Sequence, residues 1–245
     1  MGWEAERRSN RIELGSVLHH LMNRASLFLM PYRRTENVVR KLSARRAAIL
    51  AAAEALASES GMGAVQIAPV AERAGIAAGT VYRYFPSKTA LVTALVEAQS
   101  AAEIAALGRA AGAAPGPLSA LCATIATFAG RALARRRLAF ALIAEPVEPE
   151  IEAARVSYRR ALAGTFEVRI RAALAGGHLP DQDAVAAAAA LVGALIEGLI
   201  GPLAAAPEGR ARERVQALTL FALRALGVVD ARARGLVVQT PVPAS

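Results

Sequence analysis

Cys122 is the only cysteine in 245 residues. One thiol cannot build a disulfide framework or a thiolate metal cage, so a reducing, cytoplasmic setting fits best. Histidine is nearly as scarce: His19, His20 and His178 are not spaced as metal ligands among carboxylates, and no metal site is expected. No sustained alternation of β-branched residues occurs, which argues against a sheet. The longest apolar run, 184–196, is too short to span a bilayer and is followed by Glu197 and Pro202. It reads as a buried helix, and no membrane partner is expected. A Gly-rich phosphate loop is also missing. Glu145, Glu148 and Glu150 lie close together but flank prolines without a partnered histidine, so they read as a solvated loop. The expectation is a protein that is no enzyme and needs no cofactor.

What is present points to helices. Hydrophobic residues make up 55% of the chain, much of it alanine, against 4% aromatics. Alanine loses no side-chain entropy in a helix, so the fold class is all-α. The formal net charge of +9 and sequence pI of about 10.8 point to a polyanion, either nucleic acid or an anionic membrane. A GC-rich genome would also enrich arginine and alanine, so the distribution of charge says more than its sum. Arg33, Arg34, Arg40, Lys41, Arg45 and Arg46 are opposed over that stretch only by Glu36. This cluster is either a solvated tail or a set of phosphate contacts.

Residues 1–42 differ from the rest, with Trp3 and scattered leucines among arginines. They read as a disordered extension, an amphipathic arm, or the product of an upstream start with Met30 the initiator. The first helix is expected over 43–59, capped by Ser43, with Ile49, Leu50, Ala53 and Leu56 on one face. A second is expected over 66–74, with Pro69 in its first turn. Helices then follow from Ser87, over 118–134, 138–144 and 149–174, from an Asp181 cap to about 201, and from 207 to 226 with Gly227 as C-cap. Residues 229–245 read as a frayed tail.

The most informative stretch is Gly75 to Lys88. Gly75 can take the backbone angles of a tight turn without a Cβ penalty. Ala78–Tyr84 has room for about two helical turns. Pro86 biases Phe85 out of the α region, and Ser87 is a ready N-cap for the next helix. Thr80, Tyr82, Arg83, Tyr84 and Lys88 are all donors, an unusual density for so short a helix. Donors presented behind a tight turn suggest a helix-turn-helix whose second helix meets DNA.

At the level of residues, this unit resembles the TetR family of bacterial transcriptional repressors. The matching string is Ile49-Leu50, Gly61, Ala71 to Ile76, Gly79 to Phe85, Ser87-Lys88 and Leu91. The resemblance implies an N-terminal three-helix DNA-binding domain over 43–103, with 66–85 as the helix-turn-helix proper. It further implies an all-helical ligand-binding and dimerisation domain over 104–228. The DNA-binding residues so implied are Arg45, Arg46, Gln66, Ala78, Gly79, Thr80, Tyr82, Arg83, Tyr84 and Lys88. Gly79 would let the helix approach the groove closely, and Arg83 could read guanine through its two-donor fork. Tyr84 has two readings, DNA contact or core, while Val81 and Phe85 read as core. Two departures from the family pattern stand out. Ala77 replaces the usual Ser or Thr cap, and Ala78 a polar residue.

The resemblance implies a double-stranded DNA operator, a homodimer and a small-molecule effector. Candidate effector contacts are Cys122, Ile125, Phe128, Phe140, Tyr158, Leu162 and Phe166, most of which read more readily as plain core. The implied dimer stripe is Leu191, Leu195 and Leu199 with Val215, Leu218 and Ala222. The reading is of a ligand-released repressor on a pseudo-palindrome. The alternative is a basic helical module at a membrane surface or protein partner, without sequence-specific DNA binding.

Overall fold

The computed structural model describes residues 30–205 and 209–242, with side chains from residue 37 onward. The readings made above for 1–29, for the charges at 33, 34 and 36, for a helix start at 207 and for the final three residues lie outside that range. Every regular element among the described residues is helical. They are α1 (Met30–Ser60), a short 3-10 turn (Met62–Ala64), α2 (Ile67–Arg73), α3 (Ala78–Tyr84), α4 (Lys88–Gly112) and α5 (Pro117–Ala134). Then follow α6 (Arg136–Ile143), α7 (Pro149–Ala175), α8 (Ala184–Ala204), α9 (Ala211–Ala225) and α10 (Asp230–Gln239). The chain divides into two compact units, Met1–Ala48 and Ile49–Ser245.

Within the second unit there are two hydrophobic cores. The first gathers Ile49 and Ala53 of α1, Val70 of α2, Val81 and Phe85 around α3, and Leu91 and Leu95 of α4. It also takes in Leu138 and Ala141 of α6 and Ile151 of α7. The second core is built from α5, α7, α8 and α9, around Leu121, Ile125, Leu162, Phe166 and Leu195. The expected boundary at 103/104 therefore falls inside α4, and α6 joins the first core rather than standing apart from it.

Local chemistry explains most helix ends. Pro117 and Pro149 sit in the first turns of α5 and α7, where a missing N–H costs nothing. Gly177 closes α7 and Gly227 closes α9 in Schellman-type bonds, His178 N to Ala173 O and Val228 N to Leu223 O. Four expectations need correction. Helix α1 begins at Met30, so Ser43 is an interior residue, not a cap. The cap of α8 is Asp183, whose carboxylate accepts from Val185 N at 2.8 Å and Ala186 N at 3.3 Å. Asp181 is held outside the helix, because Gln182 donates to Leu226 O at 3.0 Å. Pro202 is accommodated near the end of α8, and Arg136 donates to the carbonyls of Pro202 and Leu203 there.

The fourth correction is the C-terminal tail, which forms α10. Ala233 and Val237 bury against the second core, and Thr240 Oγ1 lies 3.1 Å from Cys122 Sγ. Helices α4, α5 and α8 are long and apolar enough to cross a membrane by length and composition. Each supplies buried side chains to the cores just described.

Candidate nucleic-acid interface and effector cavity

The turn after α2 is closed by Gly75 N to Glu72 O and Ile76 N to Ala71 O, both at 3.0 Å. Gly75 sits at φ 64°, a left-handed conformation that a Cβ would strain. Beyond it, Ala77 is extended and supplies no side-chain cap to α3. Losing such a cap costs about 1 kcal/mol, and only the Ala77 carbonyl compensates, accepting from Thr80 N at 2.8 Å. Phe85 leaves the α region ahead of Pro86, and Ser87 Oγ accepts from Ala90 N at 3.0 Å to start α4.

The faces of α3 divide cleanly. Val81 is 0% exposed and Phe85 3%, both in the first core, whereas Tyr82 is 53% exposed. Arg83 and Gly79 are exposed and Thr80 half-buried. Tyr84 and Ala78 are half-buried and pack against the first core, so the ring of Tyr84 has a structural task. Gln66 is exposed and donates to Gly63 O at 3.0 Å instead of capping α2. Arg73 and Glu59 form a two-pronged pair that ties the end of α2 to the end of α1. Arg45 and Arg46 stand exposed on the part of α1 that belongs to the first unit.

Gly79 is not required by packing among the described residues. A Cβ built there meets no atom within 4 Å. Glycine inside a helix costs about 0.5–1 kcal/mol relative to alanine, and the open space leaves the face of α3 at this position bare of side chain. Gly79→Ala is expected to raise stability by about 0.5–1 kcal/mol in denaturant unfolding while weakening DNA binding. Equal or tighter DNA binding by this variant contradicts a close approach of α3 to the groove.

Lys88 is not idle. Its Nζ lies 3.2 Å from Glu148 Oε1 in the segment between α6 and α7. A backbone hydrogen bond, and then Lys88, hold the Glu148 carboxyl below the usual carboxylate range. Glu145 of the same segment accepts from Met62 N at 2.7 Å and pairs with Arg137 at 3.2 Å. Arg137 also donates to Ser60 O at 2.9 Å, packed so closely on Gly61 that a Cβ there would collide with it. The 145–150 segment is thus tied to its neighbours; of its three glutamates only Glu150 is exposed as expected. Behind it, buried Arg155 donates to Glu145 O at 2.8 Å and Ala141 O at 2.7 Å.

A cavity of about 70 Å³ lies among α4, α5, α6 and α7, walled by Val96, Phe128, Leu138 and Ile143. Gln99, Glu103, Arg131, Arg135 and Tyr158 bring polar groups to it. Of the candidate effector residues only Phe128 and Tyr158 line this space. Cys122, Ile125, Leu162 and Phe166 are each 0% exposed and fill the second core, and Phe140 packs against it. Burial pushes the Cys122 thiol up and the Tyr158 phenol well up, the latter helped by the charge of Glu103. The polar lining is absent from the sequence-derived candidates, which are apolar and aromatic side chains together with Cys122. Its signal was Gln99 and Glu103, one helical turn apart among the alanines of α4. Gln99 donates to Glu54 Oε2 of α1 at 2.8 Å, and Arg135 pairs with the same carboxylate, so the cavity wall is bonded to the first core's own helix.

The residues of the implied dimer stripe lie mostly inside the second core. Leu191, Leu195, Leu199, Val215 and Ala222 are buried within the chain, with at most 4% exposure. They have no area left for a partner. Leu218 is half-buried and seated close to Gly198. The exposed side of α8 and α9 carries Val185, Ala189, Gly193, Gly201 and Phe221 instead.

Comparison with known proteins agrees with the N-terminal architecture. Residues 49–95 match the family described as bacterial regulatory proteins, tetR family. Over 48 residues the chain is 60% identical to the HTH-type transcriptional repressor KstR of Rhodococcus jostii (strain RHA1). That match covers 20% of this chain and spans only 23% of the repressor's length. The fold is similar to that of RolR, solved in complex with resorcinol, with TM-score 0.63, 24% identity and coverage of 84% of this chain and 98% of that one. It is similar also to FadR of Bacillus subtilis, solved with stearoyl-CoA, with TM-score 0.59, 17% identity and coverage of 70% and 96%. At these identities the two structures speak for the fold alone. Over residues 49–95 this chain is thus similar to the tetR family of bacterial regulatory proteins.

Proposed function

We propose that the chain is a cytoplasmic transcriptional repressor that binds a pseudo-palindromic DNA operator as a homodimer and leaves it when a small molecule enters the C-terminal domain. The observation that carries this reading is α3 itself. One short helix, locked behind the Gly75 turn, buries Val81 and presents Gly79, Tyr82 and Arg83 outward. Tyr82 and Lys88 supply phosphate donors and Arg83 a guanine-reading fork. Thr80 adds a hydroxyl near the N-terminus of α3, whose free N–H groups favour an anion. Matches named as repressors favour repression over activation.

The homodimer is assigned to the outward faces of α8 and α9. Alanines and glycines there allow two helices to approach closely, and Phe221, 55% exposed, is the large apolar side chain beside them. Two recognition helices would then meet half-sites about 34 Å apart. Phe221→Asp places a charge in that contact. In size-exclusion chromatography it is expected to run as a monomer and to lose operator binding, whereas dimers that persist would remove the face from the interface.

Release by an effector follows from the position of α6. Leu138 lines the cavity and also belongs to the first core, and the segment after α6 holds Met62 and Lys88. A ligand that prefers one position of α6 therefore biases the DNA-binding helices, by as much as its affinity differs between the two states. Mobility-shift titration of DNA from upstream of the gene tests the proposal. Nanomolar, sequence-specific shifts that weaken with salt support it, and equal affinity for unrelated DNA of the same length refutes it.

A further inference from the structure

Glu148 places a carboxylate on the lysine that opens α4. Its Oε1 lies 3.2 Å from Lys88 Nζ, and the two side chains are only partly buried, at 43% and 35% exposure. Lys88 follows the Ser87 cap directly, a position where an anion also meets the free N–H groups of a helix start. The first turn of α4 holds no acidic residue of its own. The negative charge beside Lys88 comes instead from 60 residues further along the chain. A phosphate bound at this helix start needs the same ammonium that Glu148 holds.

The fold itself has little use for this carboxylate. Glu148 is the N-cap residue of α7, yet its side chain makes no capping hydrogen bond. Glu150 and Glu152 already supply negative charge to the first turn of α7. The neighbouring acids brace the structure: Glu145 accepts from Met62 N and pairs with Arg137, and Glu152 pairs with Arg155 and Arg159. Among the described residues Glu148 pairs with Lys88 alone. It is nonetheless held in place, because Arg155 ties down the carbonyls of Ala141 and Glu145 in the segment leading to it. Lys88 and Glu148 also border an open groove of about 280 Å³, together with Met62, Val92 and Val147. The two side chains can therefore part without repacking a core.

Resting on the reading of Lys88 as a phosphate contact, we infer that Glu148 is an intramolecular competitor for DNA phosphate. It is an autoinhibitory contact that holds operator affinity below what the surface of α3 and α4 would otherwise give. Before a phosphate reaches Lys88 the carboxylate must give the ammonium up, and afterwards it stays as a negative charge beside the DNA backbone. Both effects oppose binding, and neither depends on base sequence. An exposed ion pair shifts an equilibrium by about twofold, so two copies in a dimer amount to about fivefold.

The test compares the full chain with Glu148→Gln in anisotropy titrations of labelled operator. Glutamine keeps the size and a hydrogen-bonding oxygen but not the charge. Glu148→Gln should bind about fivefold more tightly with an unchanged unfolding midpoint, and the gain should shrink as salt is raised. Glu148→Ser, which removes the charge with a residue favoured at a helix N-cap, should show the same gain. In a Lys88→Ala background most of the gain should vanish, because the contested ammonium is gone. Glu150→Gln removes an equal charge two residues away, from a side chain that does not pair with Lys88, and should gain less than about twofold. A gain below about twofold for both Glu148 variants overturns the inference. So does a gain that persists undiminished without Lys88, or one that Glu150→Gln reproduces, since either would be a general effect of charge. The DNA reading fails by different results. A parent chain without preference for operator, or a Lys88→Ala variant that binds as tightly as the parent, removes the phosphate contact and its competitor together.

Discussion

Replacing Arg155 with methionine should cost about 3 kcal/mol of stability, although the substitution keeps most of the side chain's length. Arg155 is 5% exposed, and its guanidinium donates to the carbonyls of Ala141 and Glu145 at 2.7 and 2.8 Å. A hydrogen bond from a charged donor is worth about 1.5–3 kcal/mol, and its loss strands two acceptors that no helical N–H can answer. Burial lowers the pKa of the group, so part of the cost of holding the charge returns when it is removed. That offset keeps the expectation near the bottom of the range for two such bonds. For a chain of this size the change is a fall in Tm of about 6–12 °C. The effect also reaches function, since the two carbonyls anchor the segment that presents Glu145 to Met62 and Glu148 to Lys88. Denaturant unfolding of Arg155→Met that shows less than about 1 kcal/mol of loss would mean the segment is held by its other contacts.

The second large effect is expected on DNA binding. Tyr82→Ala together with Lys88→Ala should weaken operator binding about a thousandfold. In a dimer the pair removes four contacts, each worth about 1 kcal/mol net, and every 1.4 kcal/mol is tenfold. Tyr82 is 53% exposed and Lys88 lies on the surface of α4's first turn, so neither substitution disturbs the core. Lys88 contributes less than a free ammonium would, because Glu148 must be displaced from it first. Anisotropy titration of a labelled operator checks the magnitude, with unfolding curves alongside to show that stability is unchanged. A loss smaller than about tenfold would detach these residues from the contact surface.

Much of this was legible in the sequence, for identifiable reasons. The stretch from Gly75 to Ser87 is governed by local chemistry, namely a positive φ, a proline that displaces its predecessor and a serine that caps. Such devices work in any tertiary setting, and the structure places each as expected. What failed was decided by partners distant in sequence. The cap of α8 moved from Asp181 to Asp183 because Gln182 bonds to Leu226 across the fold, with Pro180 packed on Gly227. The stripe of Leu191, Leu195 and Leu199 is buried within the chain, and because α8 is apolar nearly all round, periodicity alone does not say which face is inside. Helix α10 leaves little trace in the sequence, because Ala233 and Val237 are only two buried positions between a glycine stop and a proline-rich end. Residues 37–42 form helix while Val38, Val39 and Leu42 remain about half exposed, so they give no inward stripe to read. The polar cavity wall was invisible for a different reason. Gln99, Glu103 and Arg131 look like ordinary surface residues until their helices are brought together.

The most direct measurement of the central claim, that α3 and the start of α4 bind an operator, is the salt dependence of that binding for the parent chain and for Lys88→Ala. Each phosphate neutralised adds about 0.9 to the negative slope of log affinity against log salt. The expected result is a steep slope for the parent chain, flattened by about two in the dimeric Lys88→Ala variant, with the preference for operator over unrelated DNA retained. A shallow slope that the variant leaves unaltered, with no preference between the two DNAs, would contradict the assignment of this surface to DNA.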